Sequence, residues 1–223
     1  MSRIILVAGA TGGVGSMIVQ QLQDSGKQIR LLVRNRKQAV AMFGSTIETA
    51  VGDTRKPASL KAAIANIDEI ICATGSRNPG SENSPEQVDY RGVDNLVQAA
   101  VEAGVHQFVL VSSIAVTKSD HPLNRFGRVL EWKLKGEQAL RTSGLAYTII
   151  RPGGLTDGPG GNKRLSIGQG DQITGMVSRS DVARLCIAAL NEPAARNVTF
   201  EVVENGGEPL KKIGEYFKVL KPD

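Results

Sequence analysis

A short apolar run, then glycines, then helix-period spacing is the pattern that most constrains this chain. Residues 4–8 are apolar and rich in β-branched side chains, and Gly9, Gly12, Gly13 and Gly15 follow. Val14, Met17, Ile18 and Leu22 then recur on one helical face until Gly26. Such runs read as strands buried on both faces of a parallel sheet, with glycine closing the helix that follows. The alternation repeats: strands at 29–33, 47–51, 69–73, 108–112 and 146–150, and helices at 36–43, 57–65, 85–103 and 127–142. This predicts an α/β chain with a Rossmann-type doubly wound parallel sheet in three αβα layers. After Arg151 the stretch 152–175 is rich in glycine, proline and polar residues, and reads as a loop with room for one short strand. A helix at 180–190, a strand at 198–203 and a helix at 209–219 follow. The expected organisation is one domain, 1–223, with a dinucleotide-binding core at 1–151. Residues 152–223 form a small substrate-side region that walls a pocket.

The segment Gly9-Ala10-Thr11-Gly12-Gly13-Val14-Gly15 lies between the first strand and the first helix, the context a dinucleotide loop needs. Gly9 permits the turn, Gly12 lets backbone approach a pyrophosphate, and Gly15 lets helix and strand pack closely. The helix N-terminus offers unpaired N–H groups and partial positive charge. After the second strand, where NAD-specific sites carry an acid, stand Arg34-Asn35-Arg36-Lys37. Cations without a carboxylate favour a 2′-phosphate and hence NADP(H). Asp53, after the third strand, is placed to accept from an adenine amino group or to cap a turn.

Composition narrows the partners. The net charge of +5 suits an anionic ligand, a nucleic acid or an acidic surface, and does not choose among them. Aromatics make up only 4% of the chain, which argues against a base-stacking nucleic-acid platform. Cys72 and Cys186 sit in apolar runs and read as buried thiols of a reducing compartment. No cysteine–histidine cluster suggests a metal. With no signal peptide and no apolar run of membrane-spanning length, the expected location is the cytoplasm, or the stroma in a plastid-bearing source.

The motifs together resemble the atypical short-chain dehydrogenase/reductases of the NmrA-like kind. The likeness rests on the glycine loop, Leu32-Val33-Arg34, Gly52-Asp53, Val88-Asp89-Tyr90 with Asn95, and Val111-Ser112-Ser113. It continues through Trp132-Lys133 with Glu137, Ile150-Arg151-Pro152-Gly153-Gly154-Leu155 and Ser180-Asp181-Val182-Ala183. Asp120-His121-Pro122-Leu123-Asn124 is similar to plant and cyanobacterial members, among them the NADPH-binding domain of a chloroplast envelope dehydrogenase. The resemblance implies that Gly9, Thr11, Gly12, Gly13 and Val14 line the phosphates. Arg34, with Arg36 or Lys37, would hold the 2′-phosphate, and Asp53 and Thr54 would edge the adenine. Ala73, Thr74 and Gly75 would border the ribose. Ser112, Ser113, Pro152 and Gly153 would surround the nicotinamide, and Lys133 would hold its ribose.

The wider superfamily pairs that lysine with a tyrosine four residues earlier as the acid. Here Val129 stands in that place. Ser113 and Lys133 remain as catalytic candidates, with His121 and Tyr90 as weaker ones. Two functions stand open. One is an NADPH-dependent oxidoreductase of a small conjugated acceptor, a quinone or flavin, because a delocalised acceptor needs no protein acid. The other is a catalytically weak NADP(H)-responsive scaffold or redox sensor. Its protein partner would dock on the C-terminal helix, where Leu210, Ile213, Phe217 and Leu220 alternate with Lys211, Lys212, Lys218 and Lys221. Docking of that helix on its own domain is the plainer alternative.

Overall fold

The computed structural model describes residues 3–76, 78–210 and 212–223. Its main sheet runs β3(Glu48–Val51), β2(Gln28–Val33), β1(Ile4–Ala8), β4(Glu69–Cys72), β5(Gln107–Val111), β6(Tyr147–Pro152), β10(Val198–Glu204), β8(Leu165–Gly168). All neighbours are parallel except β8, which pairs antiparallel with β10. A second, two-stranded parallel sheet joins β7(Gly154–Thr156) to β9(Met176–Ser178).

Strand side chains alternate between two cores. Ile5, Val7 and Ile71 face one core with α1(Gly13–Asp24), α2(Arg36–Phe43) and α6(Arg179–Ala189). Leu6, Ala8, Ile70 and Cys72 face the other with α3(Leu60–Ile64), α4(Gly92–Ala103) and α5(Val129–Arg141). That period of two across strands apolar at every position gives the three layers. Helix α1 buries Val14, Ile18, Val19 and Leu22, and Gly26 ends it at φ +65°. Each such buried side chain contributes about 1.5–3 kcal/mol. The strand order turns back at β1, so the crevice between the C-terminal ends of β1 and β4 is where ligands bind in such sheets.

The structure departs from the sequence reading in four places. Residues 57–59 wind as a 3₁₀ turn before α3, and Glu86–Arg91 wind as a π-helical turn before α4. Residues 152–175 contain β7 and β8 rather than one strand. The helix expected at 209–219 is reduced to a 3₁₀ segment, Ile213–Val219. Gly214 lies inside that segment, where glycine disfavours a regular helix. Phe217 is fully buried, Tyr216 nearly so, and Leu210, Ile213 and Leu220 pack on the same core. The amphipathic pattern thus serves the chain's own domain, not a free docking face; Lys211 lies outside the described residues. No described helix is long and apolar enough to cross a membrane.

Candidate functional site

A cleft of about 690 Å³ opens at the C-terminal ends of β1, β2, β4, β5 and β6. That volume lies in the range of small-molecule and cofactor sites, about 300–1,000 Å³. A smaller cavity of about 330 Å³ between Arg3, Lys27, Glu69 and Asn191 holds none of the candidate residues.

The glycine loop forms one wall. Gly9 has φ +82°, and a Cβ on it would lie 2.5 Å from the Ala73 carbonyl oxygen at the end of β4. A Cβ on Gly15 would strike the Gly9 carbonyl group, 2.7 Å from its carbon. These approaches seat the first turn of α1 at the mouth of the crevice. Gly12 precedes α1 with no side-chain cap, so the first-turn N–H groups stay open toward the cleft. Arg179, the first residue of α6, lies over this turn, its Nε 2.7 Å from where a Gly13 Cβ would be. It pairs with the exposed Asp157 at 2.6 Å.

The opposite end gathers Arg34, Gln38, Asp53, Thr54, Arg55 and Asn83. Arg34 donates to Asn83 Oδ1 at 2.6 Å. Arg55 holds both carboxylate oxygens of Asp53, with Nη2 2.6 Å from Oδ2 and Nε 3.0 Å from Oδ1. The Arg55 hydrogen bonds outweigh burial and hold the Asp53 carboxyl below its usual range, with the Arg34 charge adding to this. Asn95 fixes the Thr54 carbonyl at 2.8 Å. Arg36 and Lys37 are exposed on α2 and do not line the cleft.

Ala73, Thr74 and Gly75 lead to the third region, lined by Val111, Ser112, Ser113, Lys133, Pro152, Gly153 and Leu155. Lys133 Nζ stands 2.7 Å from Oδ1 of Asp89, a carboxylate with no side-chain exposure. The π-helical turn carries Asp89 inward, and its Oδ2 accepts from the Ser76 N–H at 3.1 Å. Insertions of this kind recur at functional sites. Ser112 and Ser113 part company. The Ser112 hydroxyl donates to the buried Glu137 at 2.6 Å, on the side away from solvent, while Ser113 is half-buried at the cleft.

No tyrosine lines this region. The chain has three. Tyr90 stacks on Trp132 with centroids 5.9 Å apart. Tyr147 donates to Asp223, and burial, then the Asp223 charge, push it up to about 12. Tyr216 is buried, its hydroxyl accepting from the Leu165 and Leu210 N–H groups. Val129 packs with Ala115, Val116 and Leu130 instead of facing a ligand. His121 accepts from the Leu123 N–H and lies outside the cleft lining. Burial raises the Cys72 thiol, so it is no nucleophile.

The loop carrying Ser113 is latched from below. Asp171 accepts from the Ala115 N–H at 2.6 Å, the Thr117 N–H at 2.9 Å and the Thr117 hydroxyl at 2.7 Å. Burial raises the Asp171 carboxyl, but the Thr117 and Ala115 donors outweigh it and hold the group below its ordinary value. A depressed carboxyl contributes stability above its unfolded pKa of about 3.9, and that contribution is lost as pH falls through the lower folded value. Asp171→Asn should speed hydrogen exchange at the Ala115 and Thr117 amides by about tenfold at neutral pH, as expected for losing one charged hydrogen bond. Unchanged exchange would show that the loop holds itself.

Sequence reasoning missed Arg55, Arg179 and Asn83, and gave Asp89 no role. Arg55 was findable as a cation two residues beyond Asp53. Arg179 and Asn83 reach the cleft only through tertiary packing.

A model of NAD(P)H-binding proteins matches residues 9–193 of the chain. The chain belongs to this NAD(P)H-binding family. Sanguinarine reductase of Eschscholzia californica is 31% identical over 97% of the chain and 93% of that protein. Protein TIC 62 of Pisum sativum, a chloroplastic protein, is 35% identical over 93% of the chain, which spans only 44% of that relative's length. Among solved structures, ChuY of Escherichia coli O157:H7, an anaerobillin reductase, superposes with a TM-score of 0.77 at 25% identity, covering 93% of this chain and 100% of that one. The family assignment agrees with the open helix terminus and the glycine cradle.

Proposed function

We propose that the protein is an NADPH-dependent reductase of a conjugated acceptor. The observation that carries this is the lysine-bearing end of the cleft, which has Lys133 on Asp89 and a free Ser113 but no tyrosine. The residues present fit NADP(H). The open first turn of α1 and the backbone from Gly9 to Val14 would hold the pyrophosphate, with Arg34 at the 2′-phosphate. Asp53 and Thr54 would lie along the adenine, and Ala73 to Gly75 along a ribose. Lys133 would hold the nicotinamide ribose, with Ser113, Pro152 and Gly153 beside the nicotinamide. When bound, the cofactor supplies a hydride to the acceptor. The Asp89 carboxylate, 2.7 Å from Lys133 Nζ, fixes the lysine, so its part is to orient the ribose. With no phenol to protonate an alkoxide, the site suits acceptors that spread the incoming charge and take their proton from water. Relatives named sanguinarine reductase and NAD(P)H azoreductase support the reading as a reductase. An assay of NADPH oxidation against quinones and flavins tests it; no turnover above background with any of them would overturn it.

Cofactor choice follows from the same cleft. NADPH should bind more tightly than NADH. Arg34→Ala should weaken NADPH by about tenfold to a hundredfold, the worth of one charged hydrogen bond at about 1.5–3 kcal/mol. NADH should change little. Calorimetric titration of both cofactors reads this, and equal losses would place the 2′-phosphate elsewhere.

A further inference from the structure

We propose that Arg55 is the specificity residue of the adenosine end, acting as a mask on Asp53 that lets a 2′-phosphate approach. The inference rests on the NADP(H) reading above and extends it to a residue with no assigned role.

Among the described residues that line the cleft, Asp53 is the one carboxylate, against Arg34, Arg55, Lys133 and Arg179. It stands on the loop after β3, beside the end of β2 where Arg34 leaves the sheet. A bare carboxylate there would repel a dianionic phosphate and draw on the Arg34 charge. It is not bare. Arg55 chelates both of its oxygens, and the Arg55 backbone N–H donates to Oδ1 at 3.0 Å as well. Both side chains are about 15% exposed, so solvent screens the pair only in part. A second anchor orients the guanidinium, whose Nη1 donates to the Glu82 carbonyl at 2.9 Å. Arg34 differs. Its hydrogen-bond partner is the neutral amide of Asn83, so its full charge is left for a ligand. Arg55 and Asp53 therefore cancel at short range; the Glu82 carboxylate, 3.5 Å from Arg55 Nη1, is exposed and screened by solvent, so Arg34 sets the sign of the rim.

The arrangement makes a coupling claim. With Arg55 removed, Asp53 keeps its charge and opposes both the phosphate and Arg34. With both removed, the opposition goes. Asp53→Asn alone uncovers the Arg55 charge and alters the adenine edge, so both cofactors should shift alike at the adenine while the ratio of NADPH to NADH affinity should not fall.

The test is calorimetric titration of NADPH, NADH, adenosine 2′-monophosphate and adenosine 5′-monophosphate into four proteins: wild type, Asp53→Asn, Arg55→Ala and the double variant. Thermal melting confirms that each is folded. Arg55→Ala should weaken NADPH and the 2′-monophosphate by about tenfold to a hundredfold, the range for one charged contact. NADH and the 5′-monophosphate should fall less than about threefold, since they lack the phosphate that Asp53 repels. Adding Asp53→Asn to Arg55→Ala should restore at least about tenfold, an interaction that only a cycle of variants isolates. The loss in Arg55→Ala should shrink as salt rises. If Arg55→Ala unfolds the loop, Arg55→Lys keeps the charge without the chelate and should show a smaller loss of the same selectivity. Failure of Asp53→Asn to rescue, or equal losses for both cofactors, overturns the mask while leaving the NADPH reading intact. A wild type that binds NADPH no better than NADH overturns both.

Discussion

Glu137→Ala should lower the melting temperature by roughly 6–20 °C, the largest loss expected of any single side-chain truncation here. Glu137 is fully buried on α5 and has no free lone-pair direction left. Its Oε1 accepts from the Ser112 hydroxyl at 2.6 Å and Arg151 Nε at 2.9 Å. Its Oε2 accepts from Arg151 Nη2 at 2.7 Å and Arg141 Nη2 at 2.9 Å. Arg151 is only 5% exposed. Burial lowers its pKa, and Glu137 more than reverses that. Two further carboxylates act on it: Asp171 through its charge, and Glu201, which stays 3.7 Å from Nη1 without a hydrogen bond to it. Taking Glu137 away strands a buried guanidinium, which costs about 3–5 kcal/mol. A domain of this kind has about 5–15 kcal/mol in total. Replacing Glu137, Arg151 and Glu201 together with methionine should cost less than Glu137→Ala, because removing Arg151 with Glu137 alone would strand the buried Glu201. The network also anchors Ser112 beside the cleft, so the variant should bind NADPH more weakly even where it is folded. A melting shift under about 3 °C would mean that Glu201 rotates in and takes over the pair.

That network marks the boundary between what the chain announces locally and what it does not. The β1–loop–α1 unit was readable because apolar runs, helix-period spacing and glycine punctuation are local, and each is forced by backbone chemistry. The order of helices and strands up to Ile150 followed for the same reason. Beyond that point the signals thin. Leu165–Gly168 is only four residues long, and it becomes a strand because β10 offers an edge to it. The π-helical turn at Glu86–Arg91 has ordinary helix-forming spacing; what selects the extra residue is the burial of Asp89 against Lys133. In the site, residues set by backbone motif (Gly9, Gly12, Gly13, Arg34, Pro152, Gly153) reach the cleft together. Arg36 does not, because a helix begins at it and turns it outward, with Asn35 as the cap. Arg55 follows Asp53 and Thr54 on the same loop and was within reach of the motif, whereas Arg179 arrives from α6 and nothing in its immediate neighbours in sequence marks it as a cleft residue. The missing tyrosine was legible as Val129, but only the fold accounts for where the other tyrosines went.

Gly15→Ala should both destabilise the protein and abolish tight cofactor binding, whereas Gly26→Ala should do only the first. The two glycines bracket the same helix and differ in what surrounds them. A Cβ on Gly15 would meet the carbonyl group of Gly9 and come 3.1 Å from the Ala10 Cα, all backbone with no side chain to swing aside. Helix α1 would have to lift from the glycine loop, at about 1–3 kcal/mol or more for overpacking of this kind. The displaced part is the turn whose N–H groups face the cleft, so NADPH affinity should fall at least about tenfold, or about 1.4 kcal/mol. Gly26 has φ +65° and nothing within 4 Å of its missing Cβ. Alanine there is strained only by the left-handed backbone, at about 1–2 kcal/mol. It lies at the far end of α1, so the open first turn is untouched and affinity should hold within about twofold. Melting curves and NADPH titrations on both variants separate the cases. Equal affinity loss in both would mean that binding tracks global stability. Retained affinity in Gly15→Ala would mean that the first turn of α1 does not hold the pyrophosphate.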